Sequence, residues 1–343
     1  MLKTTPLHGK FGVIVHDVDL REVTREHLFG EIRQLFEEHS ALLFPAQQIS
    51  DADHTRLAEL FGPLENREAM ASGRDVPFEV SPVSNEKGEG SVTAAESLHT
   101  LNLQANMLWH TDSTFLPVPA LVNLLTATVL PSRGGETELA STRAGWAEMP
   151  QAMRDKLKDA VIWHRLSHSR KKISPELGAM PVMNRWPDRP WKAIWPNPVT
   201  GEEALYIASH SFAIEGMGLG EGEALIDEAI AFCTRPEAVY SHKWNVGDVL
   251  IWDERAVLHR GRGLTRNLER SEAFAAPRRR TTGLRQCASY RILPARQQGG
   301  CAMFTIHPTA RLRPSPFYDA VVAEGMTAAS IYNRMIMPTS FGD

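Results

Sequence analysis

The stretch Trp109-His110-Thr111-Asp112-Ser113-Thr114-Phe115 (WHTDSTF) puts an imidazole and a carboxylate two residues apart, between aromatic side chains. On a β-strand, residues i and i+2 point to the same face, so a strand here would present His110 and Asp112 side by side. A third donor must come from elsewhere, and His259, in WDERAVLHRGRG at the end of a second apolar stretch, is the best candidate. Two histidines and one carboxylate leave three positions open on an octahedral iron(II), the arrangement of non-haem oxygenases. The same donors also suit zinc, and hence a metal-dependent hydrolase. The competing reading is a strand whose polar side chains face solvent, and spacing alone does not separate these.

The surroundings of this stretch are rich in β patterns. GVIVHDVDL alternates apolar and polar residues as a strand does, and SALLFPAQ reads as a buried strand closed by Pro45. LVNLLTATVLPSRGGETELA reads as two strands joined by a Pro/Gly turn, and EALYIASHSFAI and GDVLIWDERAVLHRG as further strands. Helical spacing appears in TREHLFGEIRQLFEEH, with Thr24 as the expected N-cap, and in SDADHTRLAELFG, which Ser50 or Asp51 opens and Gly62 closes. GEGEALIDEAIAFCT is a third helix; TRAGWAEMPQAMRDKLKDA is a fourth, started or broken near Pro150. Short strands with turn signals and a few flanking helices predict a mainly β fold, a barrel or jelly roll. The polar stretch from Glu65 to Gln104 has little periodicity and is expected to form a long functional loop.

Bulk properties exclude several classes. The 343 residues are 43% hydrophobic and 23% charged, with a net charge of -4, which gives no general attraction to nucleic acid or anionic membrane. No apolar run approaches the ~20 residues that span a bilayer. The opening residues lack an apolar signal-peptide core, and the three cysteines (Cys233, Cys287, Cys301) have no metal-ligand spacing. A cytoplasmic protein is therefore expected.

Six segments, in order, resemble one family: VDLRE, ELFGPLE, NMLWHTDSTF, VLPSRGGETELASTRAGW, HSFAIEGM and HKWNVGDVLIWDERAVLHRGRG. The chain is similar from about Leu7 to Gly263 to the iron(II)- and 2-oxoglutarate-dependent dioxygenases that include taurine dioxygenase and 2,4-dichlorophenoxyacetate dioxygenase. It looks closest to the aryloxyalkanoate branch. The resemblance implies a double-stranded β-helix (jelly roll, cupin-like), with iron(II), 2-oxoglutarate and O2 as cofactor and co-substrates. It matches His110, Asp112 and His259 to the iron ligands. Thr137, 27 positions after His110, matches the threonine that hydrogen-bonds the distal carboxylate of 2-oxoglutarate. A family arginine that binds the same carboxylate lies about eleven positions after the distal histidine, where this chain has Arg270; a guanidinium fork suits that task. An aspartate at position 112 argues against a halogenase.

After HRGRG the likeness falters. Arg270 keeps its offset, but the position four residues on is Phe274, and RRRTT, with Arg280 before Thr281, resembles the expected ending about six residues late. Arg280 is thus an alternative to Arg270. The division expected is a dioxygenase domain over residues 1–285 and a divergent C-terminal extension over 286–343. For the substrate, a small anionic molecule is expected, most of all an aryloxyalkanoate ether cleaved to a phenol and an oxoacid with release of succinate and CO2. Asn106, His210 and Arg279 are the candidate substrate residues. The alternatives are a taurine or alkylsulfonate dioxygenase with the same cofactors, or a relative that binds metal without turnover. A homo-oligomer is expected, with no nucleic acid or membrane partner. Glu254, in WDER, stands where the family often has asparagine.

Overall fold

A computed structural model describes residues 1–76, 86–87, 91–92, 98–128, 130, 134–262 and 304–306. Among them, the largest sheet runs in the order Lys3–Pro6, Val13–His16, Ala41–Phe44, Val249–Asp253, Val122–Thr126, Phe304–Ile306. Its middle strands, ALLF, VLIWD and VNLLT, are buried along their whole length. They read as continuous apolar runs because both faces are covered, whereas VIVH toward the edge alternates buried and half-buried positions. Val13–His16 and Ala41–Phe44 pair in parallel, so the chain must cross over between them, and the helix Phe29–His39 makes that connection.

A second sheet holds Val239–His242, Thr137–Ser141 and Val257–Gly261, with Thr137–Ser141 in the middle. Leu139 and Val257 of this sheet share one apolar core with Leu124, Leu250 and Trp252 of the first. Leu258 points the other way and packs with Trp146, Leu225 and Ile226, the last two on the helix Leu219–Cys233. The small sheet is thus sandwiched between the large sheet and a helical layer, and alternate residues of Val257–Gly261 serve the two sides.

The chain passes between the sheets at Asp253-Glu254-Arg255-Ala256. The Asp253 carboxylate accepts the Arg255 backbone N–H at 2.9 Å and the Asp253 carbonyl accepts that of Ala256 at 3.1 Å, closing a tight turn. Buried Glu37 anchors this turn to the crossover helix. Its carboxylate accepts from Arg255 at 2.7 Å, Asn197 at 2.9 Å and Arg33 at 2.9 Å. Those guanidinium groups hold the Glu37 carboxyl at about 2, against the desolvation that would raise it.

Several expected elements are divided differently. GDVLIWDERAVLHRG is two strands in different sheets, Val249–Asp253 and Val257–Gly261. The two strands of LVNLLTATVLPSRGGETELA are Val122–Thr126 and Thr137–Ser141, which likewise do not pair with each other. EALYIASHSFAI splits into Glu203–Leu205 and Ser211–Ile214. Thr24 is not an N-cap: its N–H donates to the His27 carbonyl in a turn, and the helix begins only at Phe29 after Leu28 in a left-handed conformation. Ser50 does cap Asp51–Phe61, in a reciprocal capping box with Asp53. Pro150 breaks its segment into Thr142–Glu148 and Gln151–Leu157. The stretch from Glu65 to Gln104 includes the helices Arg67–Ser72 and Leu98–Ala105. The expected domain boundary at 285/286 lies outside the described residues; Phe304–Ile306 pairs with Val122–Thr126 at the sheet edge. No described helix is long and apolar enough to cross a membrane.

Candidate metal centre

His110, Asp112 and His259 meet. One donor atom from each lies within 4.8 Å of the others, and all three residues are buried. The two histidines are brought together by backbone pairing. His110 N–H donates to the His259 carbonyl at 3.0 Å and His259 N–H to the His110 carbonyl at 2.8 Å. This antiparallel bridge sets the rings side by side, with centroids 4.1 Å apart.

Asp112 arrives differently from the strand expectation. Only His110 forms the bridge, and the chain turns at Asp112, so the same-face rule for strands is not what joins them. The next residue, Ser113, has φ 62°, an uncommon conformation for a residue with a side chain. Ser113 Oγ donates to Glu65 Oε2 at 2.6 Å and accepts from Arg67 Nη2 at 2.9 Å, which fixes the turn. The result places Asp112 Oδ1 at 3.6 Å from His110 Nε2 and Oδ2 at 3.9 Å from His259 Nε2. Asn123 Nδ2 donates to Asp112 Oδ2 at 2.9 Å and orients the carboxylate.

His110 Nδ1 lies 2.7 Å from the Leu108 carbonyl. A carbonyl only accepts, so Nδ1 carries the hydrogen and Nε2 presents its lone pair to the cluster. Burial lowers the pKa of His110, against the pull of Asp112, and lowers that of His259 well below the ordinary histidine range, with His110 adding to the effect. Burial raises Asp112, opposed by His110 and Arg67. Burial and then the Asp112 charge push Glu254 well above the carboxylate range. Neutral imidazoles and closely spaced buried carboxyls are what a divalent cation stabilises and what an apolar interior alone does not. The donor set, two nitrogens and a carboxylate, fits iron(II).

Thr137 lies directly opposite Gly261 and two residues from Leu139, the partner of His259, so Thr137 and His259 share a face of the small sheet. The Trp244 indole N–H donates to Thr137 Oγ1 at 3.1 Å, which leaves the threonine's own hydrogen to offer to another acceptor. His210 is buried beside the cluster, with its ring 6.4 Å from His110 and 5.1 Å from Phe115. Its Nδ1 has no hydrogen-bond partner among the described residues, and burial lowers its pKa well below the ordinary value. Asn106 touches the His259 strand through its backbone: its carbonyl accepts the Gly261 N–H at 2.9 Å. Arg270, Arg279 and Arg280 lie outside the described residues. Trp252 is fully buried, 4.9 Å from the His259 ring, while Trp109 lies under Arg260 at 4.4 Å.

Sequence reasoning missed Asn123, Arg67 and Arg170. Asn123 was findable as the lone polar residue with a strong side-chain demand for partners inside the apolar run LVNLL. Arg67 sits 5.4 Å over Phe115. Arg170, on the buried side of Leu166–Lys171, is close enough for its charge to act on His110, Asp112 and His210. Neither arginine carries a local pattern that points to the cluster.

A strand-rich fold with a buried two-histidine, one-carboxylate cluster defines a class of metal-dependent oxygenases. Residues 3–275 match the family described as taurine catabolism dioxygenase TauD, TfdA family. The 2,4-dichlorophenoxyacetate dioxygenase of Cupriavidus pinatubonensis, named as α-ketoglutarate-dependent, is 34% identical over 75% of this chain and 91% of its own length. The (S)-phenoxypropionate/α-ketoglutarate-dioxygenase of Sphingobium herbicidovorans is 30% identical over 74% of this chain and 87% of its length. The crystal structure of AAD-2 in complex with Mn(II) and N-oxalylglycine superposes with a TM-score of 0.64 at 24% identity, covering 90% of this chain and 97% of that one. The chain belongs to the TauD/TfdA family, and with it to the 2-oxoglutarate-dependent, non-haem iron dioxygenases.

Proposed function

We propose that this enzyme hydroxylates an aryloxyalkanoate, with His110, Asp112 and His259 holding iron(II), and Thr137 and Arg270 receiving the far carboxylate of 2-oxoglutarate. Iron(II) with 2-oxoglutarate supplies the activation of dioxygen and the oxidation of an unreactive C–H bond, with succinate and CO2 as co-products. The chain's part is to hold and orient. Asn123 and the Asp112 turn fix the carboxylate ligand, and the Leu108 carbonyl fixes the His110 tautomer. The Thr137 hydrogen is available to a carboxylate oxygen. The family match extends to residue 275, which includes Arg270 and stops before Arg280, and this favours Arg270.

Substrate assignment rests most on the 34% identity to a dioxygenase named for 2,4-dichlorophenoxyacetate. The surroundings of the cluster are consistent with it: Phe115 offers an aromatic face, His210 a neutral imidazole and Arg170 positive charge, while Arg67 is paired with buried Glu65. Asn106 and Arg279 are further candidates for the substrate side. Insertion of a hydroxyl on the carbon beside the ether oxygen gives a hemiacetal, which collapses to a phenol and an oxoacid. The two sheets that share a core are read as a double-stranded β-helix, with 286–343 as an extension of it.

Succinate release with iron(II), 2-oxoglutarate and O2 tests the assignment across phenoxyacetate, phenoxypropionate and taurine. Turnover with the aryl ethers is expected. Strong taurine-dependent turnover with inert aryl ethers would move the enzyme to the alkylsulfonate reading, which the family description and a 25%-identical alkylsulfatase of Acinetobacter baylyi keep in view.

A further inference from the structure

The tight turn between the sheets places a buried carboxyl, Glu254, behind the metal cluster with 0% exposure. Its Oε2 accepts the backbone N–H of Asp112 at 2.8 Å, and its Oε1 accepts the Trp252 indole N–H at 3.0 Å. The Glu254 backbone is itself pinned, since its N–H donates to the Leu121 carbonyl at 3.0 Å. The indole that Glu254 holds packs on His259, with centroids 4.9 Å apart, and Glu254 Oε2 lies 3.8 Å from His259 Nδ1. One side chain therefore touches the backbone of one candidate ligand, 142 residues before it in sequence, and the aromatic wall of another.

We propose that Glu254 is a positioning residue that locks Asp112 and His259 into their metal-binding arrangement. The inference rests on the metal reading above and extends it to a residue that does not itself face the cluster as a ligand. The chemistry of the two donors explains why a glutamate serves here. The Asp112 N–H and the indole N–H donate to different oxygens of Glu254, and the indole N–H is shared with His259 Nδ1 at 3.2 Å. Each oxygen of a carboxyl group, ionised or not, can accept a hydrogen bond, whereas the nitrogen of an amide only donates. Glutamine at 254 must turn its NH2 toward one of the two N–H groups and lose that bond. Asparagine is also one methylene short of the span from the turn to Asp112. Because an outer partner of this kind orients its ligands without touching the metal, its loss weakens binding instead of abolishing it.

The test is metal binding by the full chain in the absence of substrate. Metal-free wild type, Glu254→Gln and Trp252→Phe are titrated with Mn(II), with free ion followed by electron paramagnetic resonance, and their Co(II) forms are compared by visible absorption. Glu254→Gln is expected to bind Mn(II) about 10–100-fold more weakly and to shift the Co(II) bands. Trp252→Phe keeps the ring and loses one N–H, and is expected to weaken binding to a smaller extent. Wild-type affinity and an unchanged Co(II) spectrum in Glu254→Gln would overturn the proposal, whatever that variant's melting temperature. If Glu254→Gln does not fold, Glu254→Asp, which keeps the carboxyl and shortens its reach by one methylene, decides in the same way. A wild-type chain that takes up no Mn(II) would overturn the metal reading, and the positioning role with it.

Discussion

At the scale of single residues, the three candidate ligands depend on neighbours that aim them. Asn123 is fully buried, and its amide nitrogen donates to Asp112 and also serves Glu254. Replacing it with leucine keeps the volume and removes the donor, so Asn123→Leu should weaken Mn(II) binding about 10–100-fold while the chain stays folded, as calorimetry would report. Thr137→Val keeps the shape of a β-branched residue and deletes the hydroxyl. A hydrogen bond to a charged group contributes about 1.5–3 kcal/mol, so the KM for 2-oxoglutarate should rise at least about tenfold, with metal affinity unchanged. An unaltered KM would remove Thr137 from the co-substrate site. His210→Ala should raise the KM for phenoxyacetate and leave that for 2-oxoglutarate in place, because its ring packs with His110 and Phe115. A parallel rise in both would mark the change as general disruption.

Elements explain how the histidines meet. His110 and His259 stand 149 positions apart and become neighbours through two backbone hydrogen bonds. The sequence displayed the ingredients, apolar runs ending in chemistry-bearing residues, but not the pairing, since register is a property of the folded sheet. The run GDVLIWDERAVLHRG shows the limit well. Its apolar residues read as one strand, yet Asp253 and Arg255 form a turn that sends the two halves into different sheets. That turn is held by Glu37 and Arg33 from a distant helix, which no local pattern reveals. Capping, by contrast, is local and was legible: Ser50 and Asp53 form their box three residues apart. Ser50→Ala should therefore cost about 1 kcal/mol of stability, measurable as a shift in denaturant midpoint without loss of metal binding. Thr24 met the same local rule and failed it, because the turn through His27 and Leu28 took the N-terminal position.

On the scale of the whole molecule, buried titratable groups set an acid limit. Burial depresses His54 and His164 to about 3. A folded-state pKa below the unfolded value means stability that is complete above about 6.5 and lost as pH falls toward 3, since the unfolded chain takes up protons first. Glu37, held at about 2 by Arg255 and Arg33, acts in the same direction, with its loss running from about pH 4.5 downward. The melting temperature should thus decline between pH 6.5 and 4.5, and more steeply below. His164→Gln should flatten the upper part of that decline; an unchanged slope would show that His164 does not carry it.

The class of enzyme was readable from six ordered segments, and the match over residues 3–275 agrees with it. Substrate choice was less readable, because Arg67, Arg170 and His210 come from three separate parts of the chain and only His210 stood in a family-like segment. The most direct test of the central claim is the yield of phenol per succinate from phenoxyacetate, with iron(II), 2-oxoglutarate and O2, in wild type and Asp112→Ala. The account predicts one phenol per succinate in wild type and neither product in the variant. Phenol release without a 2-oxoglutarate requirement, or undiminished turnover in Asp112→Ala, would contradict it.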